Sequence, residues 1–169
     1  LKRNNLWAPW RIGYIKGLAE KHDCFICHNV NNPAQDSENL VLWRSKAGIV
    51  MFNRFPYNNG HLLVAPIKHA AEMEELNDCE LLEINKLIVA AQKCLKAAVN
   101  PHGFNVGMNF GRCAGAGLPG HLHIHIVPRW DGDTNFMEVC CCTDVISQGM
   151  RELYNQLKDI SAKNNLPGV

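Results

Sequence analysis

Neither sign of charge dominates this 169-residue chain, in which 17 lysines and arginines face 16 aspartates and glutamates for a formal charge of +1. That balance excludes the uniform electropositivity of a protein held mainly by nucleic-acid backbone, and no nucleic-acid polymer is expected as a partner. No apolar run approaches the length needed to cross a bilayer, so no membrane association is expected. The opening Leu1-Lys2-Arg3-Asn4-Asn5-Leu6-Trp7-Ala8-Pro9-Trp10-Arg11 lacks a continuous apolar stretch and a small-residue cleavage site, which argues against a signal peptide and for a cytoplasmic location. Internal repeats, low-complexity tracts and long linkers are absent. Eight cysteines fall short of a disulfide-scaffold density, and without export they are expected as reduced thiols or metal ligands.

What is present is an ordinary globular composition, 47% apolar and 20% charged. Its length suits one domain over residues 1–169, with a core at about 24–130, an N-terminal arm over 1–23 and a C-terminal extension over 131–169. The clearest helix runs from about Asp78 to Val99. Leu81, Ile84, Ile88, Ala91, Leu95 and Ala98 recur there at three- and four-residue steps, Asn77 or Asp78 can cap the start, and Asn100-Pro101 stops it. A weaker helix is expected around Gly149 to Ile160. Strand-like runs occur at Leu40–Trp43, Gly48–Phe52, His61–Ala65, Phe104–Asn109 and His121–Val127. Hairpin-like pairs of short strands with one long helix between them predict an α+β fold on a mainly antiparallel sheet.

The most informative segment is His121-Leu122-His123-Ile124-His125-Ile126-Val127. Strand alternation puts the three histidines on one face and Leu122, Ile124 and Ile126 on the other. Burying three imidazoles together in a core is costly, so this face is expected to line a site. Aligned imidazoles can attack as nucleophiles, hydrogen-bond to a transferring phosphoryl group, or ligate a metal. The preceding Gly111-Arg112-Cys113-Ala114-Gly115-Ala116-Gly117-Leu118-Pro119-Gly120 holds four glycines in ten residues, a backbone that lets amides approach anionic oxygens. Alone it would be a tight connector; beside the histidines it points to phosphate chemistry. Arg112, Arg129 and Lys68 could hold distal phosphates or simply be solvated charges.

Cys24-Phe25-Ile26-Cys27 has the two-residue spacing that lets both thiolates bind one zinc ion, and supplies half a site. With His28 it also satisfies the pattern for c-type haem attachment, and a Cys-x-x-Cys pair can be a redox motif. The first needs export and the second a βαβ setting, neither of which the sequence offers. Cys140-Cys141-Cys142 reads as thiols on an irregular strand, ahead of a second metal site. Trp7, Trp10 and Trp130 could stack on a base or partner, or pack in the core or a lid.

His-x-His-x-His followed by Pro128-Arg129 resembles the histidine triad family of nucleotide hydrolases and transferases. Phe52-Asn53-Arg54-Phe55-Pro56-Tyr57-Asn58-Asn59-Gly60-His61-Leu62-Leu63-Val64-Ala65-Pro66 is similar to that family's ribose-binding strand–loop–strand. Leu6–Arg11 and Arg129–Met137 resemble the microbial branch that contains diadenosine tetraphosphate phosphorylase. The resemblance implies a histidine-triad fold, a homodimer, and transfer of AMP from a dinucleoside polyphosphate to phosphate or water. Adenosine phosphoramidate cleavage, or nucleotide binding with incidental turnover, are the alternatives it leaves. It further implies His123 as nucleophile, His125 bonding the phosphoryl or bridging oxygen, His61 supporting the triad, and Asn53 and Asn109 binding substrate. The family often carries Gln where this chain has Gly117, and the amides around Leu118 are then candidates for assisting the leaving group. His69 and His121 match positions that would complete a structural zinc site with Cys24 and Cys27. Glu138, where proline is commoner, and the three successive cysteines depart from the pattern.

Overall fold

A computed structural model describes residues 24–133 and 145–167. Trp7, Trp10, Glu138 and Cys140 to Cys142 lie outside the described residues. Helix α1 (Phe25–Asn31) leads into strands β1 (Val41–Arg44), β2 (Gly48–Phe52) and β3 (Leu62–Pro66). Helix α2 (Asp78–Val99), strands β4 (Gly103–Met108) and β5 (Ile124–Arg129) and helix α3 (Met150–Lys163) complete the order. The five strands form one antiparallel sheet in the order β1-β2-β3-β5-β4, not separate hairpin pairs. The pairing of β3 with β5, across α2 in sequence, joins the two halves.

α2 begins and ends where the sequence places it. Asn77 accepts from the Glu80 amide at 3.0 Å while Glu80 accepts from the Asn77 amide at 2.9 Å, a reciprocal cap. Asn100, at φ 43°, closes the last turn in the left-handed region. The buried stripe is turned slightly from the expected one. Ile84, Leu87, Ala90, Ala91, Cys94 and Leu95 are buried, while Ile88 and Ala98 pack only partly. The shift follows from Gly48, where a Cβ would stand 2.5 Å from the Leu87 side chain, so the helix presses onto β2 at that glycine.

This main core lies on one face of the sheet, where Val50, Leu62, Val64, Ile124 and Ile126 meet α2 and the α3 residues Leu153 and Leu157. The other face carries Val41, Ile49, Met51, Leu63 and Ala65 under Ile26 of α1. α1 is pinned there by Arg44, which donates to the Asn29 and Val30 carbonyls at the helix end and pairs with Asp36. Ladder pairing of the histidine segment starts at Ile124, so His121 to His123 precede the strand; Leu122 instead donates its amide to the Ala70 carbonyl at 2.7 Å. Alternation nevertheless persists, with Leu122 in a small cluster beside Ala70 and Leu76 and His125 on the α1 side opposite Leu63.

Candidate functional site

The three histidines of the motif do not share one cleft. His121 is 1% exposed and turns toward Cys24, Cys27 and His69, whereas His123 and His125 form a second group with His61. Two neighbouring residues on one extended segment thus serve two sites.

Backbone carbonyls fix how they do so, because a carbonyl oxygen only accepts. Nε2 of His121 lies 2.9 Å from the Pro66 carbonyl, so the proton sits on Nε2 and the lone pair of Nδ1 faces the two sulfurs. Nδ1 of His123 lies 2.8 Å from the His121 carbonyl, so the proton sits on Nδ1 and the lone pair is on Nε2. The tautomers are opposite.

The second pair follows by the same elimination. The Tyr57 amide can only donate, and it meets Nδ1 of His61 at 3.1 Å, which leaves the His61 proton on Nε2. That proton is donated to Nδ1 of His125 at 2.9 Å, so His125 carries its own proton on Nε2. This Nε2 is buried and has no hydrogen-bond partner among the described residues. An unpartnered buried N–H costs stability and awaits an acceptor. The His123 and His125 rings lie 5.1 Å apart, nearly edge to face, so a lone pair and an N–H donor stand side by side.

Two of these rings, His61 and His125, are biased toward the neutral form. Burial, then the neighbouring His125 and His123, push His61 down to about 3. Burial, then His123, also lowers His125. Tyr57 stacks its ring on His125 at 5.7 Å and lies tilted against His61 at 4.6 Å. Asn53 sits beside His61, its amide nitrogen 3.3 Å from Nδ1 while its oxygen accepts from the Phe55 amide. Asn109 lies at the end of β4, under the glycine loop, 4.0 Å from where a Cβ on Gly115 would stand. Gly117 is exposed with open space around it, and Leu118 packs on the α1-side apolar cluster.

The cation candidates separate. Arg129 is taken up by Asp133, at 2.6 Å, and by Asn105, and Lys68 donates to the Glu75 carbonyl. Arg112, in the single turn Arg112–Ala114, is exposed and has no ion-pair partner among the described residues. Trp130 donates its indole proton to the Val99 carbonyl at 3.1 Å, a packing role near the end of α2. Sequence reasoning gave no role to Tyr57, Asn58 or Asp133; Pro56 ahead of Tyr57 and the Asn58-Asn59-Gly60 turn were the available signals.

The other group suits a metal. Cys24 Sγ and Cys27 Sγ lie 3.1 and 3.4 Å from Nδ1 of His121, Cys27 Sγ lies 3.1 Å from Nδ1 of His69, and the two Nδ1 atoms are 3.2 Å apart. Tetrahedral zinc would place such atoms about 3.3 to 3.8 Å apart. All four donors lie within 4.8 Å of one another. Burial and then the adjacent Cys24 push the Cys27 thiol up to about 11, so two thiolates here need a cation between them. The donor set fits a closed structural site.

Known proteins share this chain's fold and sequence pattern. The HIT domain model matches residues 34–132. The AP-4-A phosphorylase of Mycobacterium tuberculosis is 39% identical over 156 residues, covering 87% of this chain and 78% of that one. The adenosine 5'-monophosphoramidase of Schizosaccharomyces pombe is 32% identical over 106 residues, 63% of this chain and 74% of that one. Among solved structures, a hypothetical histidine triad nucleotide-binding protein from Sulfolobus tokodaii superposes with a TM-score of 0.65 at 28% identity, covering 85% of this chain and 93% of that one. With its five-stranded antiparallel sheet and paired histidine groups, the chain belongs to the HIT domain family.

Proposed function

We propose that this protein transfers AMP from a dinucleoside polyphosphate, through a nucleotidyl group on His123, to inorganic phosphate or water. The observation that carries the reading is the opposed tautomer pair, a lone pair on Nε2 of His123 beside an N–H on Nε2 of His125 that has no partner among the described residues. Nε2 of His123 attacks the α-phosphorus, and the bond from that phosphorus to the bridging oxygen breaks. His125 donates to an oxygen of the transferring group as negative charge gathers there. The His121 carbonyl steadies the positive charge that the His123 ring acquires. Phosphate or water then displaces AMP from the ring and restores the lone pair. Asn53, Asn109 and the amides around Gly117 and Leu118 are the substrate-binding candidates, and His61 holds His125.

Zinc held by Cys24, Cys27, His69 and His121 would supply a structural cross-link between α1 and the segment that carries His123. Reduced thiols and nucleotide substrates suit a cytoplasmic setting. A homodimer through β4 completes the reading. The β1 edge is covered by α3, since Tyr154 and Lys158 donate to the Val41 and Leu42 carbonyls. No comparable cover lies over β4 among the described residues, and Val106 there is 44% exposed.

Product analysis tests the chemistry. Diadenosine tetraphosphate should yield ADP and ATP when phosphate is present. AMP and ATP with or without phosphate would instead mark hydrolysis, and no turnover with nucleotide still bound would mark a binding module. The phosphoramidase relative makes adenosine phosphoramidate the second substrate to assay.

A further inference from the structure

The tautomers of His61 and His125 turn on the donors that face Nδ1 of His61, of which the Tyr57 amide at 3.1 Å is nearer than the Asn53 side-chain nitrogen at 3.3 Å. The loop that carries Tyr57 closes where the Asn53 amide donates to the His61 carbonyl at 2.9 Å and the His61 amide to the Asn58 carbonyl at 3.3 Å. Between them, Asn58 uses its whole side chain. Its oxygen accepts from the Asn59 amide at 2.8 Å, and its nitrogen donates to Asp133 at 2.8 Å and to the Pro128 carbonyl at 3.3 Å. Asp133 is itself anchored. One oxygen accepts from Arg129 Nε and the Trp130 amide, and the other accepts from Arg129 Nη2 at 3.0 Å. Its side chain is only 7% exposed. The Arg129 guanidinium, first among its partners, holds the Asp133 carboxyl down at about 2, so it is charged throughout the working range.

We propose that the Asp133–Asn58 bond is a positioning device for proton placement in the site. By holding Asn58 it holds the Tyr57 amide against Nδ1 of His61, and so dictates that His125 offers an N–H and not a lone pair. The chain of groups is continuous: Asp133, Asn58, Tyr57, His61, His125. Without the Tyr57 amide, only the longer Asn53 contact would still donate to Nδ1 of His61, so the His61 proton would be less firmly held on Nε2 and the His125 proton could then sit on Nδ1, facing His61. The donor at Nε2 would be lost without any catalytic ring having moved. Asp133 and Asn58 touch no reacting atom in this account; they act through Tyr57. The inference rests on the proposed role of His125 for its effect on rate, but not for its effect on tautomer.

The test exchanges side chains of equal volume across the Asp133–Asn58 contact, with the longer bond from Asn58 to the Pro128 carbonyl lost alongside it. Asn58→Asp sets a carboxylate against Asp133 and breaks the contact with no change of volume. Adding Asp133→Asn to that variant restores a donor–acceptor pair with the roles exchanged. Nitrogen NMR of the imidazoles reads the tautomers directly, and turnover of diadenosine tetraphosphate reads the consequence. Asn58→Asp should mix the His61 and His125 tautomers and lower kcat by about 10- to 100-fold with KM changed less, as a misplaced donor does. The double variant should recover one tautomer and most of kcat. Unaltered tautomers in folded Asn58→Asp, or a kcat loss that the double variant leaves unrepaired, would overturn the inference. If the parent protein fails to turn over dinucleotides while the tautomers respond as described, the proposed substrate fails and the positioning device stands.

Discussion

At the scale of single residues, the site is organised by where protons cannot go. His121 and His123 differ by two positions yet carry opposite tautomers, because one ring meets the Pro66 carbonyl through Nε2 and the other meets the His121 carbonyl through Nδ1. The sequence made the histidines legible as chemistry and the family resemblance divided their roles. It could not reveal the tautomers, which depend on contacts between residues 55 positions apart, as for His121 and Pro66. The buried His61 carries a consequence for stability. Its folded value of about 3 lies below the ordinary 6.5, so the unfolded chain binds a proton that the folded protein refuses. Stability from this residue is complete above about pH 6.5 and declines as the pH falls from there toward 3. The slope approaches about 1.4 kcal/mol per pH unit for the one proton. Urea titrations of the parent and of His61→Phe at pH 7 and pH 4.5 should therefore show the parent losing more stability on acidification than the variant; equal losses would contradict the burial argument.

At the scale of elements, α2 was readable almost to the residue, because its cap, its apolar period and its Asn-Pro stop are all local signals. Its rotation was not readable, since that depends on Gly48 in β2 making room for Leu87. Gly48→Ala should push the terminal methyls of Leu87 and Ile84 aside and cost about 1 kcal/mol, the low end of overpacking, measured as a lowered urea midpoint with an unchanged slope. A neutral Gly48→Ala would mean the helix has slack at that contact. The boundaries of the histidine strand were harder. Pairing starts at Ile124, and the residues before it are held by the Ala70 and Pro66 carbonyls instead of by a neighbouring strand. α1 depends on the same region through its cysteines. Cys24→Ser should lower zinc content measured by elemental analysis and lower the melting temperature, while full zinc content in that variant would remove Cys24 from the ligand set.

At the scale of the whole molecule, one sheet separates a core from a working face. α2 and α3 cover one side, and the histidine groups stand on the other under α1 and the glycine loop. The two sheet edges are treated differently, β1 capped by side chains of α3 and β4 exposing Val106, with no comparable cover among the described residues. If β4 joins a second copy, Val106→Lys should convert a dimer to a monomer in sedimentation while the circular dichroism stays unchanged; an unaltered mass would place the interface elsewhere. The place where α3 docks was invisible in the sequence, because its amphipathic pattern says only that one side is buried and not against what.

In the proposed reaction Nε2 of His123 forms a bond to phosphorus, and that bond can be trapped. Protein mixed with diadenosine tetraphosphate without phosphate, quenched within the first turnover and digested under alkaline conditions, should give one peptide heavier by an AMP group. Fragmentation should place the group on His123, and the adduct should vanish when phosphate is added before the quench. Steady turnover with an adduct on another residue, or turnover undiminished in His123→Ala, would contradict the account.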